Sequence, residues 1–308
     1  MTRMKISQRA FSGQTAIQAM VALARAFPTH NLHFVDLPYR LSSWAMDDPD
    51  NVGLWVNGDG DMVAWAVMQT PFWTIDYAYV PKADPMLHRH ILTWADRRAR
   101  RLVGTSSGHP CWFVMVFADQ QDRIRDLEDV GFESQADVGE NSWSKVLLER
   151  TAGVRVAMPT LPAGFAIRPL AREGEIDAYV LLHCDVFESK NMTTGWRGRT
   201  LTRPEHSPDL DLVAVAPDDR LAAFCVCWFD QGTSTGQIEP LGVHVDFRNS
   251  GLGRAILSEG LRRLFHRGAE RVLVETDTDR NAAMQLYESL GFRTLRDVLV
   301  YRKDYAHT

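Results

Sequence analysis

Hydrophobic and polar positions follow the same order in two successive stretches of the chain. In the first stretch, apolar residues spaced three and four apart predict a helix at AIQAMVALARAF (16–27) and a longer helix at HILTWADRRARRL (90–102). A turn at 57–61 between two apolar runs predicts a β-hairpin, and CWFVMVFA (111–118) predicts a buried strand.

The second stretch repeats this order. DAYVLLHCDVF (177–187) and AILSEGLRRLFHR (255–267) predict helices, the turn at 217–219 predicts a hairpin, and RVLVET (271–276) predicts a strand. Helices and strands in this mixed order predict an α+β fold, with a mixed sheet that carries helices on its faces.

Similar sequences mark the ends of both stretches. FADQQDRIRDLEDVGFES and DTDRNAAMQLYESLGFRT align Gly131 with Gly291, 160 positions apart, while Met62 and Leu221 align 159 positions apart. Two agreeing offsets indicate a tandem duplication of one fold. We therefore predict domains at 1–150 and 165–308.

The join between the copies is predicted at 151–164, TAGVRVAMPTLPAG, which is rich in small residues, glycine and proline. A chain of 308 residues agrees with two domains of ordinary size.

Composition argues against a disordered protein and against a protein that mainly binds nucleic acid. With 45% hydrophobic and 24% charged residues, each half has enough apolar material for a core. The formal net charge of −5 argues against nucleic acid as the main partner, because binding phosphates needs a concentrated basic surface.

The cysteines and the N-terminal sequence favour a cytoplasmic protein. The four cysteines form no CxxC pair, and no histidines lie near them at zinc-site spacing, so we expect no metal. MTRMKISQRAF lacks the apolar core of a signal peptide, and no apolar run reaches bilayer length. We expect a monomer or homodimer without a membrane partner.

The segment IEPLGVHVDFRNSGLGRAILSEGLRRLF carries the clearest chemical pattern. A strand-like run leads into a glycine-bearing loop, and a helix predicted to begin near Leu252 follows. Backbone N–H groups in such a loop, together with the positive end of the helix dipole, bind phosphate oxygens. Gly251 and Gly253 permit close approach because they lack Cβ. The alternative is an ordinary strand-to-helix turn.

LGVHVDFRNSGLGRAIL resembles the acetyl-CoA signature of the GCN5-related N-acetyltransferase (GNAT) superfamily, and DTDRNAAMQLYESLGF resembles that family's last strand-to-helix segment. The resemblance covers about residues 165–305 and implies acetyl-CoA as the acyl donor. It implies main-chain contacts to the pantetheine arm from Val243 and Val245, and a cofactor contact from Asn281. The implied diphosphate contacts lie on the loop at Arg248, Ser250, Gly251, Leu252, Gly253 and Arg254.

The resemblance also implies two catalytic residues. Tyr287 occupies the position of the general acid that serves the departing thiolate, although its helical spacing also fits a core tyrosine. Glu239 is the candidate general base, with an exposed strand glutamate as the alternative. His244, His183 and Asp185 are further candidate bases.

HCDVFESKNMTTGWRGRTL follows the first helix of the second copy, where members of the superfamily set acceptor specificity. Its residues Asp185, Glu188, Met192 and Trp196 are candidates for lining an amine pocket, or for a surface loop packed by one tryptophan.

The first copy lacks the residues of this predicted site. No glycine occurs from Pro81 to Val103, and Asp84 would repel a diphosphate. Gln121 and Leu127 stand at the positions of Asn281 and Tyr287. The first copy is therefore predicted to be a degenerate GNAT-like domain without an acetyl-CoA site.

The leading hypothesis is transfer of an acetyl group from acetyl-CoA to a primary amine of a small molecule. A non-catalytic acyl-CoA sensor or partner-binding protein is one alternative. A transferase that modifies protein N-termini or lysines is another.

Overall fold

The computed structural model describes residues 5–153, 155–158 and 160–305, which form two compact units. The first unit runs up to Lys145 and resumes at Arg296, and the second runs from Val146 to Leu295. Val154 and Pro159 of the predicted linker lie outside the described residues, as do 1–4 and 306–308 of the predicted domains.

The first unit alternates helices and strands in the predicted α+β manner. Its elements are β1 (Ser7–Arg9), α1 (Gln14–Ala26), α2 (Leu37–Arg40), β2 (Val52–Val56), β3 (Met62–Gln69), β4 (Thr74–Tyr79), α3 (Leu87–Leu102), β5 (Cys111–Phe117), α4 (Gln121–Asp129) and β6 (Glu133–Ser134). Strands β1 to β4 are successive antiparallel neighbours, and β5 pairs with β4 in parallel.

The second unit repeats the arrangement. Its elements are β7 (Ser144–Thr151), β8 (Ala166–Pro169), α5 (Ile176–Phe187), α6 (Thr194–Leu201), β9 (Asp211–Val215), β10 (Leu221–Asp230), β11 (Thr235–Val243), α7 (Leu252–His266), β12 (Arg271–Asp277) and α8 (Asn281–Ser289). Its strand order is β7-β12-β11-β10-β9-β8.

The duplication is visible in the element bounds. The last helices of the two copies, α4 and α8, both contain nine residues. Their first residues, Gln121 and Asn281, are separated by the 160 positions that the sequence repeat predicts. Strands β5 and β12 show the same offset and both contain seven residues.

The last described strand, β13 (Arg293–Asp304), was predicted to lie in the second domain, but most of it belongs to the first unit. It pairs antiparallel with β5, and Tyr301 and Tyr305 are buried in the core of the first unit. Strand β7, most of which falls within the predicted first domain, adds Val146 and Leu148 to the core of the second unit. Apolar alternation predicts that a strand forms, but it does not specify the sheet that the strand joins.

Helix α7 supplies much of the core of the second unit. Leu257, Leu261 and Leu264 are fully buried in one cluster with residues of β10 and β12. Their spacing places them on one face of the helix, as predicted. This packing fixes the N-terminus of α7 at the end of β11.

Candidate functional site

Two parallel strands of the second unit separate near their C-terminal ends. Pairs between β11 and β12 run from Thr235 and Arg271 to Gln237 and Leu273. In the described chain the strands continue beyond this ladder, β11 to Val243 and β12 to Asp277. The separation leaves a gap at the carboxyl edge of the sheet, where ligands of open α/β sheets commonly bind.

Glu239 lies in β11 at the point where the strand becomes irregular. The register with β10 shifts between Ile238 and Leu241, so two residues of β11 stand opposite one residue of β10. The indole Nε1 of Trp228 donates a hydrogen bond to the Glu239 carbonyl at 2.7 Å. Such bulges redirect side chains, and this one orients the half-buried Glu239 side chain.

The loop after β11 ends in a helix N-terminus whose first N–H groups have no partner within the helix. Gly251 has φ 85°, a left-handed conformation that favours glycine, and precedes the first residue of α7, Leu252. The bond from Ala255 N–H to the Gly251 carbonyl measures 3.0 Å. The N–H groups of Leu252, Gly253 and Arg254 precede it at the positive end of the helix dipole.

Gly253 permits close packing of α7 against the end of β11. A Cβ at this position would lie 3.3 Å from Val243 Cγ2 and 3.7 Å from Leu286 Cδ2. A Cβ at Gly251 would meet nothing within 4 Å, so the requirement for glycine there is conformational. The two glycines therefore serve different purposes in the loop.

The polar side chains of the loop mostly bond within the unit. Arg248 Nε donates to the Val243 carbonyl at 3.3 Å, and Ser250 Oγ donates to the Phe247 carbonyl at 2.7 Å. Arg254 donates to Ser289 Oγ at 2.6 Å, which joins the start of α7 to the end of α8. The backbone amides are thus the more available anion donors.

Val243 ends β11, whereas Val245 lies beyond the strand in a 3-10 turn and is 62% exposed. Asn281 is the first residue of α8, which follows the C-terminal end of β12. Val243, Val245 and Asn281 therefore all lie at the carboxyl edge of the separated strands.

Tyr287 lies on α8 and is 6% exposed. Its ring packs edge to face against Phe292 at 5.6 Å. Burial raises the pKa of the Tyr287 hydroxyl, and the negative charge of Glu239 raises it further. The structure therefore brings both predicted catalytic residues within electrostatic reach, with the tyrosine kept protonated at neutral pH.

The second unit also contains a buried charged cluster that the sequence did not reveal. Arg197 donates two 2.6 Å hydrogen bonds to Asp211, and His206 Nε2 lies 2.8 Å from the same carboxylate. Burial alone would raise the pKa of Asp211, but the charge of Arg197 and these hydrogen bonds hold it below its usual value. The guanidinium of Arg197 stacks 3.7 Å from the ring centre of Tyr179.

Tyr179 was also missed from the sequence. It is fully buried on α5, and its hydroxyl has no hydrogen-bond partner within the described chain. Burial raises the pKa of Tyr179, and the charge of Glu239 contributes to that shift. Only the apolar helix that carries Tyr179 was visible in the sequence, because the convergence of α5 on β11 is tertiary.

The candidate acceptor residues occupy different environments. Met192 and Trp196 are 2% and 1% exposed, which leaves them little surface for an acceptor. Asp185 has a side chain that is 63% exposed and lies 3.8 Å from His244. Glu188 directly follows the last residue of α5 and has a left-handed backbone conformation, with φ 50°.

The alternative bases also lie in this unit. Burial lowers the pKa of His183 to about 3, so this ring is neutral at physiological pH. It stacks on Phe224 with centroids 5.6 Å apart. His244 is placed between Asp185 and Asp246, and its Nδ1 accepts a hydrogen bond from the Asp246 N–H at 3.2 Å.

The corresponding loop of the first unit has a different chemistry. The Asp84 carboxylate accepts a 2.7 Å hydrogen bond from the Met86 N–H, just before α3 begins at Leu87. Leu127 is fully buried at the position equivalent to Tyr287. The Asp84 carboxylate of the protein therefore already accepts from the backbone N–H that a bound anion would otherwise use.

Over the described ranges, no group of three or more histidine, cysteine, aspartate or glutamate side chains is arranged to hold a metal ion. No helix in the same residues combines the length and apolar character needed to cross a bilayer.

Residues 176–292 match the profile of the family described as Acetyltransferase (GNAT) family. The second unit is therefore similar to members of the GNAT family over these residues. The matched residues contain α5 through α8, and thus the separated strands and the glycine loop.

Curated relatives of this chain include two mycothiol acetyltransferases. The protein of Kineococcus radiotolerans is 39% identical over 159 residues, which are 49% of this chain and 51% of the relative. The protein of Streptomyces avermitilis is 28% identical over 156 residues, or 50% of this chain and 51% of the relative. The alignments thus span about half the length of these relatives.

Solved structures confirm the tandem fold. A tandem GNAT protein from the clavulanic acid biosynthesis pathway covers 99% of both chains with a TM-score of 0.66 at 12% identity. A GCN5-related N-acetyltransferase from Sphaerobacter thermophilus covers 97% of this chain and 95% of its own, with a TM-score of 0.64 at 19% identity. The predicted α+β tandem GNAT fold is therefore confirmed.

Proposed function

We propose that the second unit of this protein transfers an acetyl group from acetyl-CoA to a primary amine of a small molecule. The observation that carries the proposal is the amide-lined start of α7 at the open end of β11 and β12. The match of residues 176–292 to an acetyltransferase family supports the reaction type.

The chain fits the acyl donor through its backbone. The N–H groups that begin α7 bind the diphosphate, and the left-handed Gly251 directs them toward it. Val243 and Val245 present main-chain groups to the pantetheine arm, while Asn281 holds the cofactor nearer the thioester. Arg248 and Ser250 border the diphosphate after leaving their present backbone partners.

Tyr287 and Glu239 act on the two sides of the transfer. Glu239 accepts the proton that the acceptor ammonium must lose, and the freed amine forms the new C–N bond as the C–S bond breaks. Tyr287 donates its hydroxyl proton to the departing sulfur. The raised pKa of Tyr287 keeps that proton available at neutral pH.

The acceptor is a small molecule rather than a protein. This part of the proposal rests on the relatives, which are named mycothiol acetyltransferases. We place Asp185 and Glu188 near the acceptor, because carboxylates attract an ammonium group, with Met192 and Trp196 packed beneath them. The first unit acts as a scaffold without an acetyl-CoA site of its own.

The test is turnover of acetyl-CoA by the full chain with a panel of small-molecule amines. Free CoA should be measured by chromatography, because the partly exposed thiol of Cys184 would react with thiol reagents. Tyr287→Phe should lower kcat about 100-fold while leaving acetyl-CoA affinity nearly unchanged. Tyr305→Phe is the control, since it removes the hydroxyl of a buried tyrosine of the first unit.

Glu239→Gln tests the base separately. Its rate should recover toward the wild-type rate as pH rises, because an amine that is already deprotonated needs no base. Binding of CoA without turnover of any amine would favour an acyl-CoA sensor. Acetylation confined to added proteins would favour a protein acetyltransferase.

A further inference from the structure

A cleft of about 520 Å³ lies on the first unit, away from the loop that corresponds to the acetyl-CoA site. Strand β1 and the residues after it form one wall, and the face of α3 toward its C-terminus forms another. The turn that leads into β2 closes the cleft. Its volume falls in the range of small-molecule sites.

Arginines from two elements line this cleft without neutralising partners. Arg97 and Arg101 lie one turn apart on α3, and Arg9 comes from β1. Across the described part of the chain, the side chains of Arg9 and Arg101 form no hydrogen bond or ion pair, and the Arg97 side chain donates only to the Thr93 carbonyl at 3.3 Å. Arg97 and Arg101 repel each other by a few tenths of a kcal/mol because they lie one helical turn apart. Arg101 also lies in the last turn of α3, where the helix dipole favours a positive charge.

A fourth arginine is held in a different way. Arg98 bonds to Asp48 and donates to Asn51 Oδ1 at 2.9 Å, and it lies 3.8 Å from Asp50. The cleft therefore gathers four guanidinium groups against the carboxylates of Asp48 and Asp50. Asp48 and Asp50 lie against Arg98, whereas Arg9, Arg97 and Arg101 have no acidic partner, so the cleft is positively charged overall.

An aromatic wall completes the cleft. Trp94, half-buried, packs edge to face against Trp55 with centroids 5.8 Å apart. A Cβ at Gly53 would lie 2.9 Å from Trp94 Cε2, so the absence of a side chain there gives the indole its place. Phe11 lines the cleft as well. The rings offer a rigid surface for an aromatic ligand group.

We infer that this cleft binds an organic phosphate of the size of a nucleoside diphosphate. Guanidinium groups bind phosphates through paired N–H donors, and planar rings stack on aromatic and guanidinium faces. A long nucleic acid would need a basic surface much longer than this cleft. The site is separate from the acetyl-CoA site proposed in the second unit and does not depend on it.

Isothermal titration of the full chain with ADP, inorganic pyrophosphate and CoA tests the inference. The double variant Arg97→Gln with Arg101→Gln should weaken ADP binding at least 10-fold, and rising salt should weaken wild-type binding. Trp94→Leu should weaken ADP more than pyrophosphate, because pyrophosphate has no ring. Arg100→Gln is the matched control, as Arg100 lies on the same helix but pairs with Asp96 at 3.0 Å.

The CoA titration distinguishes free nucleotide from the nucleotide portion of CoA. If CoA also occupies the cleft, a second binding event should disappear in the double variant while binding in the second unit remains. ADP affinity that is unchanged in the folded double variant would overturn the inference. An equal loss in Arg100→Gln would also overturn it, because it would indicate a general charge effect.

Discussion

At the scale of single residues, the second unit concentrates buried polar groups around Glu239. Tyr179 and Tyr287 both feel its negative charge, yet only Tyr287 was recognisable from a motif. The Tyr179 hydroxyl lacks a partner among the described residues, and an unpaired buried hydroxyl costs roughly 1–3 kcal/mol. Retention of such a group fits a region organised for ligand chemistry rather than for stability alone.

His183 makes the stability of the protein depend on pH. Burial lowers its folded-state pKa to about 3, from an ordinary value of 6.5, so the unfolded chain binds the proton first as pH falls. This residue should therefore remove about 1.4 kcal/mol of stability for each pH unit between about 6 and 3. Urea unfolding at pH 7 and pH 5 measures the effect.

His183→Phe keeps a ring against Phe224 and removes the titration, so its loss of stability between these pH values should be smaller. His266→Phe provides the comparison with an exposed histidine. Identical pH dependence of wild type and His183→Phe would contradict the assignment of a neutral buried ring.

At the scale of elements, glycines inside helices have opposite roles. Gly260 of α7 faces β10, and a Cβ there would lie 2.8 Å from Cys227 Sγ and 3.0 Å from Cys225 Sγ. Gly198 of α6 has nothing within 4 Å of the same position. The first glycine sets the distance between helix and sheet, whereas the second only weakens its helix.

Gly260→Ala should therefore lower the free energy of unfolding by about 1–3 kcal/mol through overpacking. Gly198→Ala should raise it by about 0.4–1 kcal/mol, because alanine restricts the unfolded chain. Chemical denaturation of the two variants measures both changes. A stabilising Gly260→Ala would show that α7 can move away from β10 without loss.

At the scale of the whole molecule, the last strand of the chain completes the core of the first unit. Val298 and Val300 of β13 are fully buried, and the Tyr301 hydroxyl donates to Glu128 Oε1 at 3.0 Å. Residues at the end of the sequence thus stabilise elements formed near its beginning. Because of this long-range pairing, the boundaries of the two folded units do not coincide with those of the two sequence repeats.

Tyr301→Ala should destabilise the first unit by about 3–5 kcal/mol, by analogy with other large buried aromatic residues. Hydrogen exchange of the β5 amides should accelerate, since β5 pairs with β13. The amides of α7 in the second unit should keep their protection. Faster exchange in α7 with no change in β5 would contradict the assignment of β13 to the first unit.

Periodicity located the helices and strands well, because each amphipathic element must bury one face. Helix α7 begins at the predicted Leu252, and the hairpins form at the predicted turns. The predicted domains at 1–150 and 165–308 placed most of β7 in the first domain and β13 in the second, because periodicity does not show which sheet a strand joins. The Arg197 and Asp211 pair was equally invisible there, because neither residue belongs to a local motif.

The sequence by itself determined the repeated α+β fold, the glycine loop at the start of α7 and the loss of that loop in the first copy. These features are local, since side-chain periodicity and backbone freedom act within a few residues. Only the tertiary structure decided which sheet receives β13, which tyrosines surround Glu239 and which arginines meet in the cleft. These depend on packing between segments that are distant in the chain, which no local pattern encodes.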